Sequence, residues 1–438
     1  MTLEHPYEPR KSTETAADKI IEVLGYSKVA LVNVGTGGGK TFMSIRAVAK
    51  KIPKVHLLIL TTKKQVDANH WNDSIDSYNE VMKSDITYTI TNYERARSKG
   101  HYPELVQTLQ NINDRPIVMI LDECQRIKGY TSTSTSKMVI NISRMPNVLC
   151  TIGLSATLAS NSILDACNYL ILAGYYTSKT QFLNIHAKYQ DDHFQPIVKD
   201  YEGNISPSMI NQYDELVNKI NNITVTIDTE DKVPPRKAWQ EIFTYPKNIQ
   251  KEYRKIIKDY KEGVYDSVNA ALMAEREFVA THSDDKNEYV KKLINDPNRP
   301  NTPILIFYQY TIERETLLSY IKENLPEYEI TIIAGSMKKK VSMDKPKNPK
   351  TIFLIQYRAG GEGLNAPWSR LTIFYTPTNS YQDFKQAQGR NRRAGSKDLV
   401  YQVRLVVDKT INAHMWFEII DNKQNFSKQL QSELVDKE

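Results

Sequence analysis

Residues 29–41 read VALVNVGTGGGKT, a short apolar run that breaks into four glycines among five residues and closes on a lysine and a threonine. The run from Val29 to Val32 predicts a buried strand, and FMSIRAVAKK from Phe42 predicts a helix, so the glycines occupy a strand-to-helix turn. Backbone amides close around phosphate oxygens only where Cβ atoms do not intrude, and a loop of Gly35, Thr36, Gly37, Gly38 and Gly39 meets that need. In such a cradle Lys40 reaches the β- and γ-phosphates of a bound nucleotide, Thr41 ligates Mg²⁺, and the helix N-terminus adds its partial positive charge. The alternative, a glycine-rich turn that merely precedes a lysine, loses ground once a strand and a helix flank it.

A chain of 438 residues exceeds one typical domain, and length alone favours about two or three. With 40% hydrophobic and 25% charged residues the composition is globular, and no apolar run approaches the roughly 18 residues that cross a membrane. The opening MTLEHPYEPRKSTETAADK lacks the apolar stretch of a secretory signal. Cys124, Cys150 and Cys167 are scattered without CxxC spacing, which argues against a disulfide framework or a zinc site and for a reducing compartment. The formal charge of +7 is modest, but cations gather late, at Lys338, Lys339 and Lys340, at Lys345, Lys347 and Lys350, and at Arg390, Arg392 and Arg393. That distribution admits a polyanionic partner.

Apolar strands alternate with helical patterns from Val29 to about Thr157: VHLLIL (55–60), ITYTI (86–90), PIVMIL (116–121) and VLCTIGL (148–154). The pattern is that of a parallel α/β sheet. Between Leu158 and about Pro300 the segments become long, polar and amphipathic, with a break at Val233, Pro234 and Pro235. Strands return at ILIFYQY (304–310), ITIIAG (330–335), TIFLIQ (351–356), LTIFYT (371–376) and LVYQVRLVV (399–407). The expected boundaries are a first α/β domain over 1–200, a helical insert and linker over 201–300, and a second α/β domain over 301–438.

A second chemical signal is IVMILDECQ (117–125), where five apolar residues deliver two carboxylates at a strand's end. A magnesium nucleotide needs acids there, Asp122 for the metal through water and Glu123 as general base for the attacking water. GLSATL (153–158) follows another strand, and Ser155 and Thr157 are placed to bond the acidic pair and sense the γ-phosphate. Near the other end, QAQGRNRR (386–393) sets Arg390 and Arg393 three apart, a helical spacing that puts both guanidinium groups on one face as arginine fingers. A plain basic helix face is the competing reading.

Taken in order, VGTGGGKT, LDECQ, LSATL, AGGEGLN (359–365) and QAQGRNRR resemble the motifs of superfamily 2 helicases. The finer resemblance is to Swi/Snf-like ATPases, through DECQRIKG with the Ser/Thr run after it, TNYERAR (91–97), and VPPRKAWQEIFTYPKNIQKEY (233–253). LIFYQYTIERETLL (305–318), AGSMKKK (334–340) and AGGEGLNAPWSRLTIFYTP (359–377) fit the same family. The resemblance implies two RecA-like parallel-sheet domains in tandem, with a helical insert between them and ATP in the cleft. It also implies that Gln125 and the Ser155–Thr157 segment couple hydrolysis to movement, that Gly361 and Gly363 serve the nucleotide, and that Gln386 acts with Arg390 and Arg393. The chain departs from the family where Gln125 replaces a common histidine, and where Thr376 replaces the usual acidic residue before a proline. No adenine-reading glutamine is evident in PYEPRKSTETAADKI.

By the same resemblance the strand backbone is tracked by Thr61, Thr62 and Lys63, by Thr91, Asn92 and Tyr93, and by Ser336, Lys338 and Arg358. These are small donors and cations at strand ends, suited to phosphate more than to base edges. Trp71, Trp239, Trp368 and Trp416 are expected to pack rather than to stack on bases. The expected protein is a DNA-dependent ATPase using ATP and Mg²⁺, with duplex DNA favoured and single-stranded DNA admitted as partner. A replication or recombination protein is a further candidate partner, and no membrane is. A strand-separating DNA or RNA helicase and an ATP-gated clamp or loader are the alternatives. With no appended domain in view, the chain resembles a stripped motor of bacterial or phage type, in the cytoplasm, that of a bacterial host if phage-encoded.

Overall fold

A computed structural model describes residues 11–34, 39–130, 133–155, 162–188, 210–227, 234–335, 345–361, 366–392 and 398–425. The chain divides into two compact units, one of residues up to Thr229 and one of Glu230–Gln424.

The first unit is built on strands β1 (Val29–Val34), β2 (Lys54–Thr61), β3 (Asp85–Asn92), β4 (Ile117–Asp122), β5 (Val148–Ser155) and β6 (Thr224–Ile227). They lie in the order β3-β2-β4-β5-β1-β6, and every pairing is parallel. Parallel strands need crossovers that cover both faces, so their residues read as continuous apolar runs. Alternate residues accordingly enter different cores: Leu58, Leu60, Met119 and Leu121 face one side, and Leu57, Ile59, Val118 and Ile120 the other. The register puts the carboxyl ends of β1, β4 and β5 on one edge, with Asn33 beside Ser155 and Asp122 beside Leu154. Ligands of open parallel sheets bind outside that edge.

The second unit carries β7 (Arg236–Phe243), β8 (Ile304–Tyr308), β9 (Glu329–Ile333), β10 (Thr351–Gln356), β11 (Leu371–Phe374) and β12 (Val400–Val407). Their order is β7-β12-β11-β8-β10-β9, again all parallel. Two tandem six-stranded parallel sheets with flanking helices are the RecA-like pair that the sequence implies.

Residues 201–300, expected as a helical insert and linker, also contribute a strand to each sheet. The helix Tyr213–Asn222 and β6 complete the first unit, and β7 opens the second sheet. The helices Lys247–Lys261, Val268–Thr281 and Asp284–Ile294 then belong to the second unit. Neither strand is an apolar run, for a physical reason. β6 is four residues long, and β7 is an edge strand whose RKAWQEIF alternates partly buried with exposed residues. Its inward Trp239 donates to the Tyr289 hydroxyl at 3.1 Å and packs against the core.

Trp71 and Trp416 are fully buried, and Trp239 and Trp368 pack as half-buried residues against the cores. Trp416 donates to the Leu405 carbonyl at 3.0 Å and fastens the last helical stretch to β12. The three cysteines are buried thiols whose burial raises them above their ordinary range. Among the described residues no helix is long and apolar enough to cross a membrane.

Candidate active site

The lysine of the glycine loop opens a helix, Lys40–Lys51. Its N-cap, Gly39, has φ 82° and ψ 26°, a left-handed conformation that favours glycine. A Cβ at that position would meet nothing within 4 Å, so the backbone angle, not crowding, calls for glycine. Lys40 and Thr41 therefore stand in the first turn, where helical N–H groups are unpaired and the dipole favours anions. Gly35, Thr36, Gly37 and Gly38 lie outside the described residues. The Thr41 hydroxyl is 3.4 Å from Nε2 of His70, a residue the motifs did not point to.

Asp122 is the last residue of β4. Its Oδ2 accepts two hydrogen bonds, from the Thr61 hydroxyl at 2.8 Å and from the Trp71 indole at 3.2 Å. Burial and then the neighbouring Glu123 carboxylate raise the Asp122 pKa, while Thr61, the Lys40 ammonium and Trp71 act in the opposite direction. A desolvated carboxylate with a second acid beside it is a place short of positive charge. Hard oxygen donors of this kind fit Mg²⁺, with Thr41 and Asp122 as the groups that would hold it.

Glu123 has φ 53° and ψ 51°, left-handed for a residue that carries a side chain. Such a conformation persists only where its surroundings impose it. On either side the backbone is held by buried tyrosines, Tyr93 donating to the Asp122 carbonyl at 2.9 Å and Tyr169 to the Cys124 carbonyl at 3.2 Å. Burial pushes both phenols well above their ordinary range, so they remain donors. From β5, Gly153 leaves room for Cys124. A Cβ there would come within 3.2 Å of the Cys124 sulfur and 2.9 Å of a Leu31 methyl.

The Ser155 hydroxyl donates to the Gln125 amide oxygen at 2.6 Å, and the Gln125 amide nitrogen donates to Glu123 Oε2. Ser155 was expected to bond the acidic pair itself, but the structure inserts Gln125 between them. The tight turn Cys124–Ile127 after β4 points the glutamine back toward β5. Ser155 and Gln125 are both buried, so each partner supplies what the other would otherwise lose to desolvation. Thr157 lies outside the described residues.

The late arginine motif differs from its expected form. The helix Tyr381–Gln388, which includes Gln386, stops at Gly389, so Arg390 follows the helix instead of continuing it. The β12 residue Gln402 donates to the Gln388 carbonyl at 2.8 Å and the Asn391 side chain at 3.1 Å, and Ala366 N–H donates to the Arg390 carbonyl at 3.0 Å. These bonds turn the chain away from helical geometry. Arg390 is 5% exposed. Arg393 and Gly363 lie outside the described residues, and Gly361 ends the short helix Tyr357–Gly361.

Of the strand-tracking candidates, three belong elsewhere. Thr61 is fully buried with its hydroxyl on Asp122, Tyr93 is buried with its hydroxyl on the Asp122 carbonyl, and Thr62 is a buried N-cap for Lys63–Asp67. A threonine or tyrosine at a strand's carboxyl end can point into the sheet edge as readily as outward, and sequence does not distinguish the two. Lys63 is exposed, Thr91 and Asn92 are half-exposed, and Arg358 is exposed with Asp383 at 3.9 Å. Ser336 and Lys338 lie outside the described residues. Trp71 was missed as part of this site because it falls within no spacing that signals chemistry, and the packing role of Gly153 was missed because GLSATL (153–158) pointed to Ser155 and Thr157.

Comparison with known proteins finds the same two halves. Residues 6–160 match the family described as Type III restriction enzyme, res subunit, and residues 285–395 match the Helicase conserved C-terminal domain. ATP-dependent helicase fft2 of Schizosaccharomyces pombe is 26% identical over 160 residues, which are 35% of this chain and 12% of that protein's length. The Sulfolobus solfataricus SWI2/SNF2 ATPase core in complex with dsDNA aligns over 97% of this chain and 95% of its own, at 16% identity and TM-score 0.40. The ATP-dependent Type ISP restriction-modification enzyme LlaBIII bound to DNA aligns over 96% of this chain and 30% of its own, at 14% identity and TM-score 0.56, a likeness of fold. Most of the first RecA-like sheet thus lies within the stretch that matches a restriction-enzyme res subunit, and most of the second within the stretch that matches a helicase C-terminal domain, so the chain is similar in both halves to ATP-dependent helicase-type proteins.

Proposed function

We propose that the chain is a DNA-dependent motor that tracks duplex DNA and displaces what is bound ahead of it while leaving the strands paired. The observation that supports it most is the buried relay from Ser155 through Gln125 to Glu123, which ties the general base to the end of β5. In this reading Lys40 binds the β- and γ-phosphates within the cradle Gly35–Gly39, and Thr41 and Asp122 hold Mg²⁺. The cation, when bound, neutralises charge on the transferring phosphate. Glu123 takes the proton of the attacking water at a carboxylate oxygen, and Gln125 keeps that carboxylate aimed. Gln386, Arg390 and Arg393 assist charge stabilisation, and Gly361 and Gly363 let backbone approach the nucleotide.

Lys63, Thr91, Asn92, Ser336, Lys338 and Arg358 are the donors for strand phosphates, a set that favours sequence-tolerant, salt-sensitive binding. DNA is favoured as the polymer because LlaBIII, whose fold this chain shares, is described as bound to DNA. Tracking is favoured over unwinding because the gaps between the motifs at 305–318, 334–340, 351–365 and 386–393 leave little chain for a strand-separating wedge. The test compares ATP turnover on duplex DNA, single-stranded DNA and RNA, together with triplex displacement and forked-duplex unwinding. Duplex DNA should stimulate at least as well as the others, and the triplex strand should be displaced from an intact duplex. Efficient unwinding of the fork by the purified protein would replace this reading with the helicase one, and tight DNA binding without movement would favour a clamp.

A further inference from the structure

We propose that Tyr93 and the Glu94–Arg126 ion pair form a latch that transmits nucleic-acid contact at the end of β3 to the hydrolytic carboxylate Glu123. It rests on the reading of the chain as a nucleic-acid-stimulated ATPase, and adds the route by which stimulation arrives.

β3 ends in Thr91 and Asn92, the half-exposed donors assigned to strand phosphates. The Asn92 side chain accepts from Arg95 N–H at 2.8 Å and so starts the short helix Tyr93–Ala96 in a fixed orientation. That orientation turns Tyr93 inward and Glu94 outward. Tyr93, 1% exposed, donates to the carbonyl of Asp122 at 2.9 Å. Glu94 meets the Arg126 guanidinium at 2.8 Å, and the same guanidinium stands 5.8 Å from the centre of the Tyr93 ring. Two consecutive residues of one segment thus grip the acidic loop before and after Glu123.

The grip is not a consequence of strand pairing, because β2 lies between β3 and β4. The carbonyl that Tyr93 holds belongs to the peptide joining Asp122 to Glu123, and rotation of that peptide sets the φ of Glu123. Since Glu123 sits at φ 53°, a conformation its surroundings impose, a small displacement at Tyr93 re-aims its carboxylate. A shift of β3's end on binding phosphate reaches the general base through one buried bond and one exposed ion pair. Tyr93 is in these terms a positioning residue, acting through the Asp122–Glu123 peptide.

The test uses the full chain with a mixed-sequence DNA duplex, and reads the ratio of DNA-stimulated to basal ATP turnover alongside duplex affinity. Tyr93→Phe keeps the ring and removes the donor, and should lower the ratio about tenfold, within the usual range of coupling between sites. Glu94→Gln and Arg126→Gln should each lower it by about two- to fivefold, as befits an exposed pair, with duplex affinity and basal turnover held within about twofold. In the doubly substituted chain the second change should add nothing to the first, because both break the same pair. Unchanged ratios in Tyr93→Phe, or additive losses in the double variant, would overturn the latch while wild-type stimulation leaves the functional reading standing. A wild-type chain that DNA does not stimulate would remove both. Should Tyr93→Phe fail to fold, as its melting curve would reveal, the Glu94 and Arg126 cycle decides alone.

Discussion

The hydroxyl of Ser155, at the end of β5, donates to the amide oxygen of Gln125 at 2.6 Å, and both groups are buried. That contact orients the amide so that its nitrogen can only face the Glu123 carboxylate. In Ser155→Ala the Gln125 oxygen is left without its donor, a loss of about 1–3 kcal/mol for a buried polar group. Turnover should fall about tenfold or more, and nucleotide affinity by less, since both residues act on the Glu123 carboxylate. Gln125→Ala should behave likewise, and the two changes together should cost little more than either one. Steady-state turnover with nucleotide titration checks all three.

Lys40 and Glu123 occupy different parts of the cycle and should fail differently. Lys40→Ala removes a cation from the first turn of the helix Lys40–Lys51, and should weaken nucleotide binding by about tenfold or more. Glu123→Gln keeps size and hydrogen bonding but removes the base, so binding should persist and hydrolysis stop. A Glu123→Gln chain that hydrolysed ATP at the wild-type rate would show that another group takes the proton.

Gly153 packs beneath the acidic loop with no room for a methyl group, 2.9 Å from a Leu31 methyl and 3.2 Å from the Cys124 sulfur at the position a Cβ would take. Gly153→Ala should destabilise the first unit by about 1–3 kcal/mol, as overpacking does. Because Cys124 follows Glu123, turnover should fall by more than the loss of folded protein explains. Thermal denaturation measured beside activity per folded molecule separates the two effects.

Lys286 in the second unit is 2% exposed, and its ammonium lies 3.9 Å from the centre of the Tyr375 ring without a hydrogen-bond partner among the described residues. Burial lowers it from 10.5 to about 8, against the opposing pull of the buried Glu313 carboxylate. Below pH 8 the amine is charged in both folded and unfolded chains, and folding must desolvate the charge. Between about 8 and 10.5 the folded chain sheds a proton that the unfolded chain keeps, so this group's contribution to stability rises with pH by up to about 3 kcal/mol. Lys286→Met should raise the melting temperature of the second unit at pH 7, and the gap from wild type should narrow by pH 9.5. A constant gap across that range would contradict the shift.

The architecture was legible in sequence wherever a chemical pattern is local. VALV, VHLLIL and VMIL read as strands because both faces of a parallel sheet are covered, and the strands fall where their apolar runs do. GKT and DEC read as a phosphate and metal site because a cradle and an acidic pair need those residue types at strand ends. Legibility failed where a side chain's role depends on which way it turns or on what lies beside it. Thr61 and Tyr93 look like phosphate donors in sequence, yet the sheet edge turns both onto Asp122. β7 has no apolar run because its alternation suits an edge strand, which only pairing with β12 reveals. Arg390 leaves the helix that its spacing promised because Gln402, distant in sequence, bonds the Gln388 carbonyl and the Asn391 side chain. The sequence by itself determined where ten of the twelve strands fall along the chain and which residue types stand at the loop and the acids, since these rest on composition and spacing over a few residues. Only the tertiary structure decided that Gln125 stands between Ser155 and Glu123, and that two tyrosines hold a left-handed Glu123, because those contacts join strands and helices that are far apart in the chain.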